Sequence, residues 1–169
     1  MINGGGEQPS GSQSSALTSP VLLFDGVCGL CNRFVQFVLR RDKDAVFRFA
    51  SLQSPLAVRI LARHAADASD LDTVCVVVNR NSEGQDSTVS SPAPELLLTR
   101  SDAVLFVLRS LGGIWRAAAA ILRCIPRAFR DTAYRFVARH RYRVFGRYET
   151  CPLPDPAARS RFLDQPNGL

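Results

Sequence analysis

Two cysteines separated by two residues, Cys28 and Cys31, lie in the string Asp25-Gly26-Val27-Cys28-Gly29-Leu30-Cys31. A C-x-x-C pair closes a small-ring disulfide. When its first cysteine sits at a helix N-terminus, unpaired backbone N–H groups and the helix dipole stabilise the thiolate and lower its pKa. The thiolate is the attacking species in thiol–disulfide exchange. This assigns Cys28 as the attacking sulfur and Cys31, one turn further in, as the resolving one. No Lys or His flanks Cys28, so the helix terminus is expected to do most of the pKa lowering. Asp25 has two readings. With Gly26 it makes a turn; as a buried carboxylate it accepts the proton of Cys31 during resolution. A negative charge placed near Cys28 itself would oppose thiolate formation.

The flanking residues supply the elements that hold such a pair. Val21–Phe24 is a short, continuous apolar run, as in a strand buried on both faces. From about Gly29 to Arg40, Leu30, Phe34, Phe37, Val38 and Leu39 recur at helical spacing. Arg40, Arg41 and Lys43 follow, where a helix dipole favours cations. Ala45–Ala50 alternates and reads as a second strand. Strand, helix and strand within about 30 residues predict a right-handed parallel crossover. Ser54-Pro55 opens a helix, with Ser as cap and Pro at its first position. Val74–Val78 is dense in β-branched residues and reads as a strand. Asn79–Pro94 reads as a long loop, and Leu96–Leu98 as a last strand. Ser101 is expected to cap a helix, Gly112-Gly113 to break it, and Pro126 to start another that ends near Tyr142. Phe162-Leu163 is expected to pack back on the body.

Composition narrows the function classes. The chain has 169 residues and five cysteines. An odd, scattered cysteine set does not make a secreted disulfide framework. The first 19 residues are rich in Gly, Ser, Gln and Pro and have neither a basic nor an apolar leader region. They read as a disordered tail on a cytoplasmic protein. The apolar stretch from Ala103 to Ile125 is interrupted by Arg109, Arg116 and Arg123, short of the about 20 uncharged residues a membrane span needs. Charge is uneven: residues 1–99 carry 8 basic against 10 acidic side chains, and residues 100–169 carry 13 arginines against 5 acids. Arg109, Arg116, Arg123 and Arg130 recur every seven residues. A solvated helix face explains them; an anionic membrane surface is the functional alternative. No nucleic-acid motif accompanies them, so nucleic acid is not an expected partner.

Other chemistry competes weakly with the thiol pair. Structural zinc takes four ligands, but there is no second C-x-x-C, and His64 and His140 are far apart. A thiolate site for a soft metal such as Cu(I) lacks neighbouring Met, the sole Met being Met1. No cofactor is expected. A metal-holding or partner-recruiting module without catalysis is the alternative function. Cys75 and Cys124 read as core, Cys151 as the better candidate for a third reactive thiol. His64, His140 and Trp115 read as packing or surface residues.

The string from Asp25 to Cys31 resembles the DxxCxxC signature of the DCC family, thiol–disulfide oxidoreductases with a thioredoxin-like fold. The resemblance continues through Phe47-Arg48-Phe49, Leu52-Gln53-Ser54, Ser101-Asp102-Ala103-Val104, Leu111-Gly112-Gly113, Ile125-Pro126, Arg130-Asp131 with Tyr134, Arg141-Tyr142-Arg143 with Phe145-Gly146, and Cys151. It implies an α/β, thioredoxin-like mixed sheet of about four strands flanked by helices. The expected single domain is 20–163, including an extra C-terminal helical region from about Ile114 to Tyr142, with residues 164–169 as a tail. It also implies Cys28 and Cys31 as the redox pair but no substrate; a protein or small-molecule thiol or disulfide is the expectation that follows from the pair's own chemistry. The broader thioredoxin pattern has a cis-proline before the third strand. Here Leu71, Asp72 and Thr73 stand there, a departure that counts against classical peptide docking and leaves a small thiol or a particular partner as substrate.

Overall fold

Alternation along the first strand sets the architecture. In the computed structural model, which describes residues 19–66, 74–79, 95–149 and 156–164, β1 (Val21–Phe24) is buried at every position. Side chains on a strand alternate between faces. Leu22 and Phe24 therefore join one apolar cluster while Val21 and Leu23 join another. Both faces of the sheet must be covered, and helices cover them. β2 (Arg48–Ser51), β3 (Val74–Asn79) and β4 (Glu95–Thr99) complete a sheet of order β2-β1-β3-β4. β1 pairs parallel with β2 and antiparallel with β3, and β3 pairs antiparallel with β4. This is the expected mixed four-strand sheet with the parallel crossover, and the arrangement is thioredoxin-like.

On one face, α1 (Gly29–Arg41) and α3 (Arg100–Ser110) pack Val35, Val38, Ala103 and Val107 against Leu22, Phe24, Phe49 and Val76. On the other, α2 (Pro55–Arg63) packs Ala57, Ile60 and Leu61 against Val21, Leu23, Cys75 and Val77. Ser54 caps α2 as expected, its hydroxyl accepting from the Ala57 N–H at 3.1 Å. α4 (Gly113–Arg123) and α5 (Arg127–Phe145) follow as the extra helical region. Gly112 and Gly113 both have positive φ, which suits glycine; they end α3 and let the chain turn into α4. Pro126 caps α5. α4 and α5 each bury a single residue, Ala119 and Ala138, so they form an outer layer over α1 and α3. A short 3-10 helix, Pro156–Arg161, then returns Phe162 to the core. There its ring stacks on Phe49 at 5.3 Å and meets Phe24 edge-on.

Three local expectations are corrected. β2 begins at Arg48 rather than Ala45, because the Asp42 carboxylate accepts the N–H groups of Val46 and Phe47 and holds them in a turn. Ser101 is not the cap of α3: Thr99 occupies that position, and the Ser101 hydroxyl donates to Asp131. Cys124 is exposed, not core, because the end of α4 projects from the outer layer. Of the expected tails, 1–19 and 164–169, residues 1–18 and 165–169 lie outside the described residues, as do most of the Asn79–Pro94 loop, Thr73 and Cys151; Asp164 is described, and its carboxylate accepts from the Ser51 N–H at 2.6 Å.

Leu22 has no exposed surface and is central to the larger cluster. Leu22→Ala is expected to cost about 2–5 kcal/mol, read in urea as a lower unfolding midpoint with an unchanged slope.

Candidate active site

Cys28 is the N-cap residue of α1, with extended backbone (φ −87°, ψ 121°) and no capping side chain of its own. The strand-to-helix turn before it is tied down by short-range bonds. Its own N–H donates to the Asp25 carbonyl at 3.1 Å. The Asn32 amide donates to the Gly26 and Cys28 carbonyls at 2.8 and 3.0 Å. Cys31 sits one turn into α1 and is buried; the two thiols are not bonded to each other.

The two sulfurs are electrostatically unequal. The Cys31 thiol hydrogen-bonds to the Cys28 sulfur, and backbone N–H groups of Cys31 and Leu30 add to it. With the Arg141 guanidinium nearby, these outweigh the burial that opposes ionisation and bring Cys28 down to about 6. Cys31 moves the other way: its thiol hydrogen bond to Cys28, its burial, and the negative charges of Cys28 and Asp25 all hold it protonated. Cys28 is thus the thiolate at neutral pH and Cys31 the thiol. The helix terminus was expected to do most of the lowering; instead the thiol donor is the largest contribution, and a cation from α5 assists.

Asp25 is buried and its carboxylate is a hub. Oδ1 accepts from the Val27 N–H at 3.2 Å and from the Gln53 amide at 3.0 Å. Oδ2 accepts from the Tyr142 hydroxyl at 2.5 Å and from Arg141 at 3.3 Å. The Asp25 N–H also reaches toward the Cys31 sulfur. The Val27 contact is the expected turn, so turn-making and a place beside the thiols coexist in this residue. Gln53 is fixed in its own right, accepting from the Gly26 N–H at 3.1 Å and from the Ser51 hydroxyl.

The end of α5 closes over this arrangement. The Gly29 N–H donates to the Gly146 carbonyl at 3.2 Å, and the Tyr148 N–H to the Val27 carbonyl at 2.8 Å. Cys28 and Arg147 form an isolated antiparallel bridge. A Cβ on Gly29 would lie 2.1 Å from the Phe145 carbonyl oxygen, so only glycine permits this approach. Beneath this strap Cys28 has no exposed surface.

The structure therefore brings Cys28, Cys31 and Asp25 together. Gln53, Arg141 and Tyr142 join them, though nothing local in the sequence gave them a role. Their signal was their presence in the family-like strings. Other candidates lie elsewhere. Cys75 is buried in β3 and pushed up to about 12 by burial, as suits a core thiol. His64 faces Glu95 at 3.4 Å, His140 bonds the Phe136 carbonyl, and Trp115 packs edge-on against Phe37. Arg130 departs from the expected solvated stripe: its side chain is mostly buried and reaches Asp102 at 3.5 Å. No group of three or more His, Cys, Asp or Glu side chains suited to a metal occurs among the described residues. No described helix is long and apolar enough to cross a membrane.

Comparison with known proteins points to one family. Residues 22–147 match the model of the DCC1-like thiol-disulfide oxidoreductase family, and the chain belongs to that family. It is 35% identical over 150 residues to the uncharacterized protein YuxK of Bacillus subtilis (strain 168), covering 89% of this chain and 98% of that one. It is 34% identical over 134 residues to the DCC family protein At1g52590, chloroplastic, of Arabidopsis thaliana, covering 79% of this chain and 69% of the relative. No solved structure matches significantly.

Thiolate absorbance in the ultraviolet measures the inequality of the sulfurs directly. Thiolate is expected to appear as pH rises through about 6 and to disappear below it. Arg141→Gln removes a cation and moves that midpoint up. Cys31→Ala removes the largest stabilising contact and moves it up further.

Proposed function

We propose that the protein is a thiol–disulfide oxidoreductase in which Cys28 attacks and Cys31 resolves. The observation that carries this reading is the Cys28 sulfur at the head of α1, receiving the Cys31 thiol and two backbone N–H groups. Family membership supports the redox class. In the reducing direction, the Cys28 thiolate attacks one sulfur of a substrate disulfide. The substrate S–S bond breaks, a mixed disulfide forms, and the departing thiolate takes a proton from water. Cys31 then loses its proton and attacks the Cys28 sulfur. The second substrate thiol leaves, and a Cys28–Cys31 disulfide remains. An external thiol reductant restores the dithiol. The reverse sequence oxidises a substrate dithiol.

Asp25 has the role of proton acceptor for Cys31. The hydrogen bond to Cys28, burial and the Cys28 charge keep Cys31 protonated while Cys28 is a thiolate, and the Asp25 charge adds to them. Once Cys28 is in a mixed disulfide that negative sulfur is gone, and transfer of the Cys31 proton toward Asp25 becomes easier. Tyr142 and Arg141 hold the carboxylate in place for this. A cytoplasmic setting is part of the same proposal; it fits the odd, scattered set of five cysteines.

Mass spectrometry after exposure to a small disulfide tests the assignment. Cys31→Ser is expected to accumulate a stable mixed disulfide on Cys28, and Cys28→Ser to accumulate none. Trapping on Cys28→Ser instead inverts the roles. A wild-type pair that stays reduced at every accessible potential sinks the oxidoreductase reading and favours a non-catalytic binding module.

Asp25→Asn separates the two steps. Mixed-disulfide formation is expected to keep its rate, while decay of the mixed disulfide in quenched time courses slows by about 10²-fold, the low end for loss of a general base. Slowing of both steps alike would make Asp25 a structural residue only.

A further inference from the structure

Cys31 has a second neighbourhood, on the side away from the strap. A cavity of about 570 Å³ lies between α1, α3, α4 and α5, and Cys31 forms part of its wall. The volume falls in the range of about 300–1,000 Å³ typical of small-ligand sites. Its existence follows from the outer helices: α4 and α5 each bury one alanine, so the space between them and the core is left unfilled. Leu30, Phe34 and Val104 line it, and Leu122, Ile125 and Phe129 line it while remaining exposed. Walls made of such side chains suit an apolar occupant.

The polar groups at this cavity are few, and most are used. The Ser101 hydroxyl donates to Asp131. The Tyr134 hydroxyl accepts from the Val74 N–H at 3.1 Å. Arg130 is different. Its side chain is 13% exposed and its Nη2 reaches Asp102 at 3.5 Å. Its Nε and Nη1 are buried with no hydrogen-bond partner among the described residues. A buried donor left unmet is costly, and a guanidinium presents its donors in a fork that matches a carboxylate. Apolar walls specify a chain; the unmet donors specify an anionic end.

We propose that this cavity binds a long-chain carboxylate, a free fatty acid, with its chain against the wall that includes Cys31 and its carboxylate on Arg130. This goes beyond the redox reading and does not depend on it. The rival occupant is a bilayer. Eight arginines and one acid lie between Gly113 and Phe145, and Ile114, Ile121 and Phe136 are exposed there, so a peripheral contact with anionic membrane is the alternative to be distinguished. The buried position of the unmet donors favours the free acid, because a flat membrane surface leaves them unsatisfied.

The test is displacement of a fluorescent anthroyloxy fatty acid from the full chain by oleate. Expected are one probe per chain, displacement by oleate, and oleyl alcohol weaker by about tenfold or more, the effect of losing a charge-assisted hydrogen bond. Arg130→Gln is expected to abolish the difference between oleate and oleyl alcohol. Val137→Trp, at a half-exposed position in the cavity wall, is expected to abolish probe binding while thermal unfolding stays cooperative; it serves if Arg130→Gln fails to fold. Equal affinity for acid and alcohol, or undiminished probe binding by Val137→Trp, overturns the proposal. So does binding seen only with anionic phosphatidylglycerol vesicles, which assigns the face to a membrane instead. Repeating the displacement on Cys28→Ser keeps the result separate from the redox pair: the probe is expected to bind although no disulfide can form.

Discussion

The contact between Gly29 and the Phe145–Gly146 carbonyls governs the site. There is no space for a side chain at Gly29, so the backbone at the end of α5 rests directly on the head of α1. That approach delivers Arg141 and Tyr142 to Asp25 and lays Arg147 alongside Cys28. The Asp25–Arg141 pair that results is almost fully withdrawn from water. Breaking such a pair by removing one partner typically costs about 3–5 kcal/mol, because the other charge is left buried and alone. The site is therefore stitched between the first strand–helix junction and the last long helix. Neither end of the chain makes it alone.

A second stitch follows the same logic at the far end of α1. The Asp42 carboxylate takes two backbone N–H groups of the turn into β2 and also pairs with Arg161. Arg161 lies over the Phe49 ring and donates to the Phe47 carbonyl. The 3-10 helix is thereby fixed where Phe162 can enter the core. Both ends of α1 are thus held by carboxylates that bind backbone locally and an arginine from far along the chain. Hydrogen bonds to charged groups are stronger than neutral ones, which suits two anchors placed where helix ends otherwise fray.

The elements whose signals are local were legible in the sequence. Val21–Phe24, the turn at Asp25-Gly26, the cap at Ser54 and the break at Gly112-Gly113 each declare themselves within a few residues, through steric or capping preferences that act at short range. So does the C-x-x-C. What was not legible is what tertiary approach decides. Arg141 meets Asp25 across 116 positions of sequence, and no pattern around either residue announces it. The basic group that the flanks of Cys28 lack is supplied from α5 instead. Ser101 shows the converse: its position suits a cap, but the arrival of Asp131 from α5 gives its hydroxyl a stronger, ionised partner. Cys124 misled for a related reason. Apolar neighbours in sequence imply burial only if something covers that face, and nothing described covers the end of α4.

The strap over Cys28 separates chemical readiness from availability. The thiolate is formed and stabilised within the closed structure, yet its sulfur has no open surface there. Two backbone hydrogen bonds, from Gly29 and from Tyr148, hold the cover in place. On the proposed reading, encounter with a disulfide would depend on the fraction of molecules in which those bonds are open, and apparent affinity would be reduced by that fraction. A partner able to pair with the same backbone groups would raise it. Selectivity among disulfides would then lie in who can lift the cover, and the intrinsic nucleophilicity of the sulfur would be the same for all of them.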